Sequence, residues 1–198
     1  MSRNPFYTKM VRLTRWFVTF LHPLRVVGRE NIPAEPVVLC ANHSSNWDPL
    51  LAVYALGEGY CMRIMAKQQL FRTRLLGNFL RRLGIFPVDR GHADLKAVKT
   101  AIQTIRDGQS LLVFPEGTRV KDDADAAAKG GVAMIAMRTG AQLLPVYIGR
   151  NKRLFQKVPV IIGMPFSPLR ESRRGTAEEY QKNADEIMRR VYGLGETQ

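Results

Sequence analysis

Acid, cysteine and long apolar runs are all scarce in this sequence. Its 198 residues contain only 17 Asp plus Glu against 30 Lys plus Arg, leaving a formal net charge of +13. The first acid is Glu30. Two cysteines exclude a disulfide scaffold, and Cys40 and Cys61 sit in apolar, strand-like runs with the spacing of neither a redox pair nor a zinc site. Near the N-terminus the longest uncharged apolar stretch runs from Trp16 to Leu21, far short of the roughly 20 residues that span a bilayer. No small-residue cleavage site follows it, so a cleaved signal peptide is not expected. Histidine is rare as well, at three residues, and no His/Cys/Asp cluster suggests a metal. What remains is ordinary for a globular chain: 45% hydrophobic and 24% charged residues, in a length that suits one domain. Only the charge is abnormal. It calls for an anionic partner, and composition leaves nucleic acid, a membrane surface and a phosphorylated substrate all open.

From Asn4 to Leu24, Lys9, Arg12 and Arg15 recur at helical spacing opposite Phe6, Met10, Leu13, Phe17, Phe20 and Leu21. A basic face against an aromatic-rich one is the pattern of a helix lying in a membrane interface, though a helix docked on the domain's own core shares it. This divides the chain into an N-terminal amphipathic helix, 1–24, and a domain, 25–198. Beyond Pro23, short apolar runs at 36–41, 63–66, 85–88, 111–114, 143–148 and 158–162 read as strands. Pro87, Pro145 and Pro159 cannot donate to a ladder, which puts their strands at edges, ends or bulges. Helical patterns run from Leu50 to Leu56, from Ala93 to Arg106 and from about Thr176 to Val191. The alternation implies a single α/β domain with a mixed, mostly parallel sheet flanked by helices.

Four segments carry chemistry. Asn42-His43-Ser44-Ser45-Asn46-Trp47-Asp48 follows the first core strand. Five steps on a helix would set His43 and Asp48 about 140° apart, so the two can meet only if His43 lies in the turn before the helix. Asp48-Pro49 reads as a helix cap with proline at the first position. Such an aspartate could orient the ring, or it could merely cap. Phe114-Pro115-Glu116-Gly117-Thr118-Arg119 also leaves a strand, where ligand sites form in α/β sheets, but it would serve equally as a plain turn. Phe86-Pro87-Val88-Asp89-Arg90 delivers a second arginine, suited to phosphate or to a surface pair with Asp89 or Asp94. Leu143-Leu144-Pro145-Val146-Tyr147-Ile148 reads as core.

In this order, the four blocks resemble the glycerophospholipid acyltransferase superfamily, and most of all its bacterial 1-acyl-glycerol-3-phosphate acyltransferases, over roughly residues 27–165. The resemblance implies His43 as general base toward a lysophospholipid hydroxyl and Asp48 as the group that orients it. It also implies Arg90 and Arg119 on the acceptor's phosphate, with Glu116, Gly117 and Thr118 binding the glycerol phosphate alongside them. Lys67 is a further candidate for that basic site. The donor would be an acyl-CoA or an acyl carrier protein, with no cofactor and no metal. One departure stands out: Val120 follows Arg119 where the family often has serine, and the acidic, alanine-rich stretch 120–129 comes next.

The expected product is phosphatidate, made by a peripheral protein on the cytoplasmic face of an anionic membrane. Another lysolipid acceptor is the alternative within the superfamily. A covalent acyl-enzyme through Ser44, Ser45 or Cys40 is disfavoured, because no G-x-S-x-G elbow surrounds them. A non-enzymatic basic membrane-binding module would have no use for the histidine–aspartate pair. Nucleic acid is not an expected partner, since no helix-turn-helix, RNA-binding or zinc motif is present.

Overall fold

The computed structural model of the protein describes residues 4–57, 60–89, 94–120, 128–172 and 175–196. Its centre is a seven-stranded sheet in the order β1-β7-β6-β2-β5-β3-β4. The strands are β1 (Leu24–Val27), β2 (Val38–Ala41), β3 (Met62–Lys67), β4 (Ile85–Val88), β5 (Ser110–Val113), β6 (Leu143–Ile148) and β7 (Val158–Ile162). Strands β6, β2, β5, β3 and β4 are mutually parallel. Strands β1 and β7 pair parallel to each other, and β7 runs antiparallel to β6. This is the mixed, mostly parallel α/β sheet that the alternation implied.

The prolines sit where a missing donor costs little. Pro87 lies on the edge strand β4. The β6–β7 ladder pairs Val146–Ile148 with Val160–Ile162 and stops just short of Pro145 and Pro159 at its two ends. There the proline carbonyls still accept from Gly163 and Gly149, at 2.9 and 2.8 Å.

Helices cover both faces. On one side α1 (Pro5–Leu21) and α2 (Asp48–Leu56) pack over Leu39, Leu112, Leu144 and Val146. On the other, α4 (Leu95–Arg106), α5 (Gly131–Thr139) and α6 (Ala177–Glu196) cover Val38, Cys40, Leu111 and Leu143. Neighbouring residues of one strand thus enter opposite cores, as the two-residue period of a strand requires. A short helix, α3 (Arg74–Arg82), runs beside β4. Local chemistry sets the helix starts: Asn4 caps α1 by accepting from Tyr7 N–H at 3.1 Å, and Asp94 caps α4 by accepting from Ala97 N–H at 2.9 Å. Thr176 and Glu179 bond reciprocally to each other's backbone N–H groups and form the capping box of α6.

Helix α1 has two apolar stripes rather than one. Tyr7, Val11 and Val18 are buried in the domain core, and the Thr14 hydroxyl meets that of Tyr54 at 2.8 Å. Leu13, Trp16, Phe17 and Phe20 remain more than half exposed. The helix therefore docks on the core and still presents an aromatic face outward.

Candidate active site

Because five strands run parallel, the segments leaving β2, β5, β3, β4 and β6 emerge along one edge of the sheet. The exit of β2 is fixed by Asn42, which is fully buried. Its amide donates to Ile148 C=O at 2.9 Å and accepts from Ile148 N–H at 2.7 Å, extending the β2–β6 ladder with a side chain. His43 follows in a turn and not in a helix. Its Nδ1 lies 3.0 Å from Asp48 Oδ2, which also accepts from the N–H groups of Ser44 and Ser45, each at 2.7 Å.

The capping expectation for Asp48 is corrected here. Helix α2 begins on Asp48 itself, after Trp47, and the carboxylate turns back onto the preceding turn instead of capping forward. Two backbone donors ahead of the helix and a histidine are stronger partners than a single helical N–H.

Asp48 is fully buried. Burial alone would raise its pKa, but the His43 hydrogen bond, the nearby Lys152 ammonium and the Ser45 N–H outweigh it and hold the carboxyl below the usual range. An ionised Asp48 can only accept, so His43 Nδ1 carries the proton and Nε2 is left as the basic nitrogen. The imidazole lies against the Phe114 ring, with centroids 4.3 Å apart and planes tilted by 26°.

The exit of β5 folds toward the same point. Gly117 has φ +70° and its N–H donates to Phe114 C=O at 3.0 Å, closing a tight turn that most residues could not adopt. The turn aims Glu116 inward, where it is 4% exposed. Its Oε2 accepts His43 N–H at 3.0 Å, and its Oε1 accepts the Tyr192 hydroxyl of α6. Burial pushes this carboxyl up, and the Tyr192 and His43 hydrogen bonds only partly offset that. Val120 N–H then donates to His43 C=O at 2.8 Å, and Val120 C=O accepts from Arg150 at 2.8 Å. Both ends of the Glu-Gly-Thr-Arg turn are thereby stitched to the histidine's backbone. Thr118 and Arg119 between them point to solvent.

Other expected residues are less tightly joined. Lys67 is exposed at the end of β3, in register with Val88. Arg90 lies outside the described residues, as do 121–127 of the acidic stretch; Asp94 receives the Asp89 N–H at 2.9 Å and ties the two sides of the Arg90 segment together. Cys40 is buried, and burial pushes its thiol far up, away from nucleophile chemistry. Among the described residues no cluster of His, Cys, Asp or Glu gathers as a metal site would need. Between α4, α5 and the sheet lies a cavity of about 500 Å³, lined by Met65, Val88, Val98, Val113, Phe114 and Ile135 among others. Phe114, which stacks on His43, is part of its lining, as are Asp89, Asp94 and Lys129.

A family model described as Acyltransferase matches residues 23–149, well over half of the chain. The chain belongs to the acyltransferase family. It is 35% identical over 150 residues to the 1-acyl-sn-glycerol-3-phosphate acyltransferase of Bacillus subtilis, covering 72% of this chain and 73% of that one. It is 31% identical over 153 residues to the protein of the same name from Streptococcus pneumoniae, covering 70% of this chain and 56% of that one. The fold superposes on the crystal structure of the 1-acyl-sn-glycerophosphate (LPA) acyltransferase PlsC from Thermotoga maritima with a TM-score of 0.71 and 26% identity, over 96% of this chain and 79% of that one.

In this acyltransferase the sequence left two partners of the site unread. Lys152 Nζ lies 2.8 Å from Asp48 Oδ1 and donates to Ser44 Oγ at 2.8 Å. Tyr192 anchors Glu116 from the C-terminal helix. No local motif marks either residue.

Proposed function

We propose that this acyltransferase moves a fatty acyl group from a thioester donor, acyl-CoA or acyl carrier protein, to the sn-2 hydroxyl of 1-acyl-glycerol 3-phosphate, giving phosphatidate. The observation that carries the reading is the His43–Asp48 pair, tied through Glu116 to the Glu-Gly-Thr-Arg turn. His43 Nε2 takes the acceptor's hydroxyl proton as that oxygen attacks the thioester carbonyl. Asp48 keeps the Nδ1 tautomer and stabilises the imidazolium that forms. When the tetrahedral intermediate collapses, the carbon–sulfur bond breaks and the departing thiolate takes the proton from Nε2. Arg119, exposed at the end of the Glu-Gly-Thr-Arg turn, and Arg90 meet the acceptor's phosphate, and Lys67 at the end of β3 adds positive potential. Glu116 and Gly117 hold the turn against which the glycerol phosphate lies, with Thr118 beside Arg119. The largely apolar cavity that Phe114 lines receives an acyl chain.

The same reading puts the protein on the cytoplasmic face of an anionic membrane, with residues 1–24 as the associating segment. In support, α1 exposes Leu13, Trp16, Phe17 and Phe20 beside its basic residues. No helix among the described residues is long and apolar enough to cross a membrane. The test is acyl transfer by purified protein in mixed micelles, with a panel of lysophospholipids against both donor types. Phosphatidate formed from 1-acyl-glycerol 3-phosphate is the expected product. Efficient acylation of a different lysolipid, with this one untouched, would contradict the acceptor assignment.

A further inference from the structure

The loop between β6 and β7 carries features at its tip and its base that acyl transfer alone leaves unexplained. At the tip, Leu154 and Phe155 are 57% and 61% exposed. Phe155 has φ +64° and is the one non-glycine residue among those described with a left-handed backbone. Such strain persists only where the surroundings impose it, and here it holds a phenyl ring out in solvent. That ring meets Phe20 of α1 edge-on at 5.4 Å, and Phe20 stacks on Trp16 at 5.9 Å. All three are more than half exposed, so an aromatic ridge crosses from helix to loop. Cations flank it: Arg153 and Lys157 are exposed in the loop, as is Arg12 on α1, and residues 150–170 contain no acid. Exposed rings and a leucine set beside Arg153 and Lys157, in a stretch without acid, match an anionic bilayer surface.

At the base of the same loop, the Lys152 side chain is 5% exposed and its Nζ is 2.8 Å from Asp48 Oδ1. The loop is tied to the end of α1, because Phe155 N–H donates to Leu21 C=O and Val158 N–H to Pro23 C=O, each at 2.7 Å. Between those two carbonyls His22 is buried against Trp47, with ring centroids 4.9 Å apart, and Trp47 immediately precedes Asp48. Loop tip, end of α1 and start of α2 therefore share one set of contacts.

We propose that the β6–β7 loop is a second lipid-contact element beside α1, which inserts Leu154 and Phe155 into an anionic bilayer and thereby holds Lys152 on Asp48 and raises turnover. The lipid contact stands by itself; the effect on turnover rests on the acyl-transfer reading above. Lys152 acts through Asp48 and is a positioning residue.

The full chain is assayed for binding to phosphatidylcholine vesicles with and without phosphatidylglycerol. Transfer to a short-chain, monomeric 1-acyl-glycerol 3-phosphate is then measured with and without those vesicles. The unaltered protein should bind the anionic vesicles and turn over several-fold faster on them, through kcat more than KM. Leu154→Ser/Phe155→Ser should bind about tenfold more weakly and lose the stimulation while keeping its vesicle-free rate. Phe155→Gly suits the left-handed backbone, so folding is secure, and it should change both readouts in the same direction. Lys152→Met should bind vesicles normally but lose kcat in both conditions, with Lys152→Arg restoring part of it.

No binding by the unaltered protein, or equal affinity in the loop variants, overturns the lipid contact. Weaker binding with stimulation intact overturns the link to turnover, as does a normal kcat in Lys152→Met. If no lysophospholipid is acylated at all, the acyl-transfer reading fails and the binding arm still decides the contact.

Discussion

Glu116 is the residue whose removal should disturb the site most without touching the reacting atoms. Its two carboxylate oxygens join three elements: the turn after β5, the His43 backbone after β2, and Tyr192 on α6. In Glu116→Ala the buried His43 N–H and the half-buried Tyr192 hydroxyl both lose their acceptor. The orphaned His43 N–H costs about 1–3 kcal/mol and the lost carboxylate acceptor of Tyr192, whose oxygen still accepts from Arg150 at 3.3 Å, about 1 kcal/mol, so the change should cost roughly 3 kcal/mol. For a domain of this size that is a fall in Tm of roughly 6–12 °C. Glu116→Gln keeps an acceptor for His43 N–H, and its amide can donate to the tyrosine oxygen, so it should stay within about 1 kcal/mol of the parent. It should also change the pH dependence. Because burial raises the folded-state pKa of Glu116, this group favours folding most when protonated, and that contribution fades as pH rises from the ordinary glutamate value through the raised one. The Glu116→Gln variant should lack that decline, and gain relative to the parent as pH rises. Thermal unfolding across pH reads all three quantities. A Tm for Glu116→Ala within about 2 °C of the parent would refute the scaffolding role.

Three further outcomes follow from the same geometry. Asp48→Asn keeps the shape but reverses what Nδ1 meets, so kcat should drop by about 10³–10⁴ in a steady-state acyl-transfer assay, with the fold intact by circular dichroism. Since Asp48 is held below the usual carboxylate range, its stabilisation is present above an unfolded value of about 3.9 and is lost as pH falls through the lower folded value. Denaturant titrations should therefore show the stability gap between the parent and Asp48→Asn closing in acid. Gly28 has φ +84°, and a Cβ there would collide with the Ile162 carbonyl oxygen, so Gly28→Ala should lower stability by about 3 kcal/mol or more in the same titrations.

Much of the architecture could be read from local pattern. The bounds of β4, β6 and β7 coincide with the apolar runs at 85–88, 143–148 and 158–162, and β2, β3 and β5 lie within two residues of theirs. These strands are short, apolar and bounded by turn residues, and β2, β5 and β6 are buried on both faces. Strand β1 carries no such signal, because Leu24–Val27 is four residues long with an arginine inside it. Helix α5 opens on Gly130-Gly131 and is apolar nearly all round, so it has no periodic stripe to betray it. Helix α3 leaves Leu75, Leu76 and Phe79 exposed, so its apolar pattern faces no core.

The site shows the same division. His43, Asp48 and Glu116 were legible because each lies in a compact block. Lys152, 108 positions from Ser44, and Tyr192, 76 from Glu116, were not, because only the parallel sheet and the packing of α6 bring them in. The two faces of α1 are half legible: the outward aromatic stripe shows in the sequence, and the inward Tyr7, Val11 and Val18 stripe does not.

In the proposed mechanism His43 is the base that activates the acceptor hydroxyl. Its most direct test is the single-turnover rate of His43→Ala with 1-acyl-glycerol 3-phosphate and a thioester donor, alongside the acceptor's binding affinity. The rate should fall by at least about 10²-fold with acceptor affinity retained. A rate near that of the parent protein would contradict it.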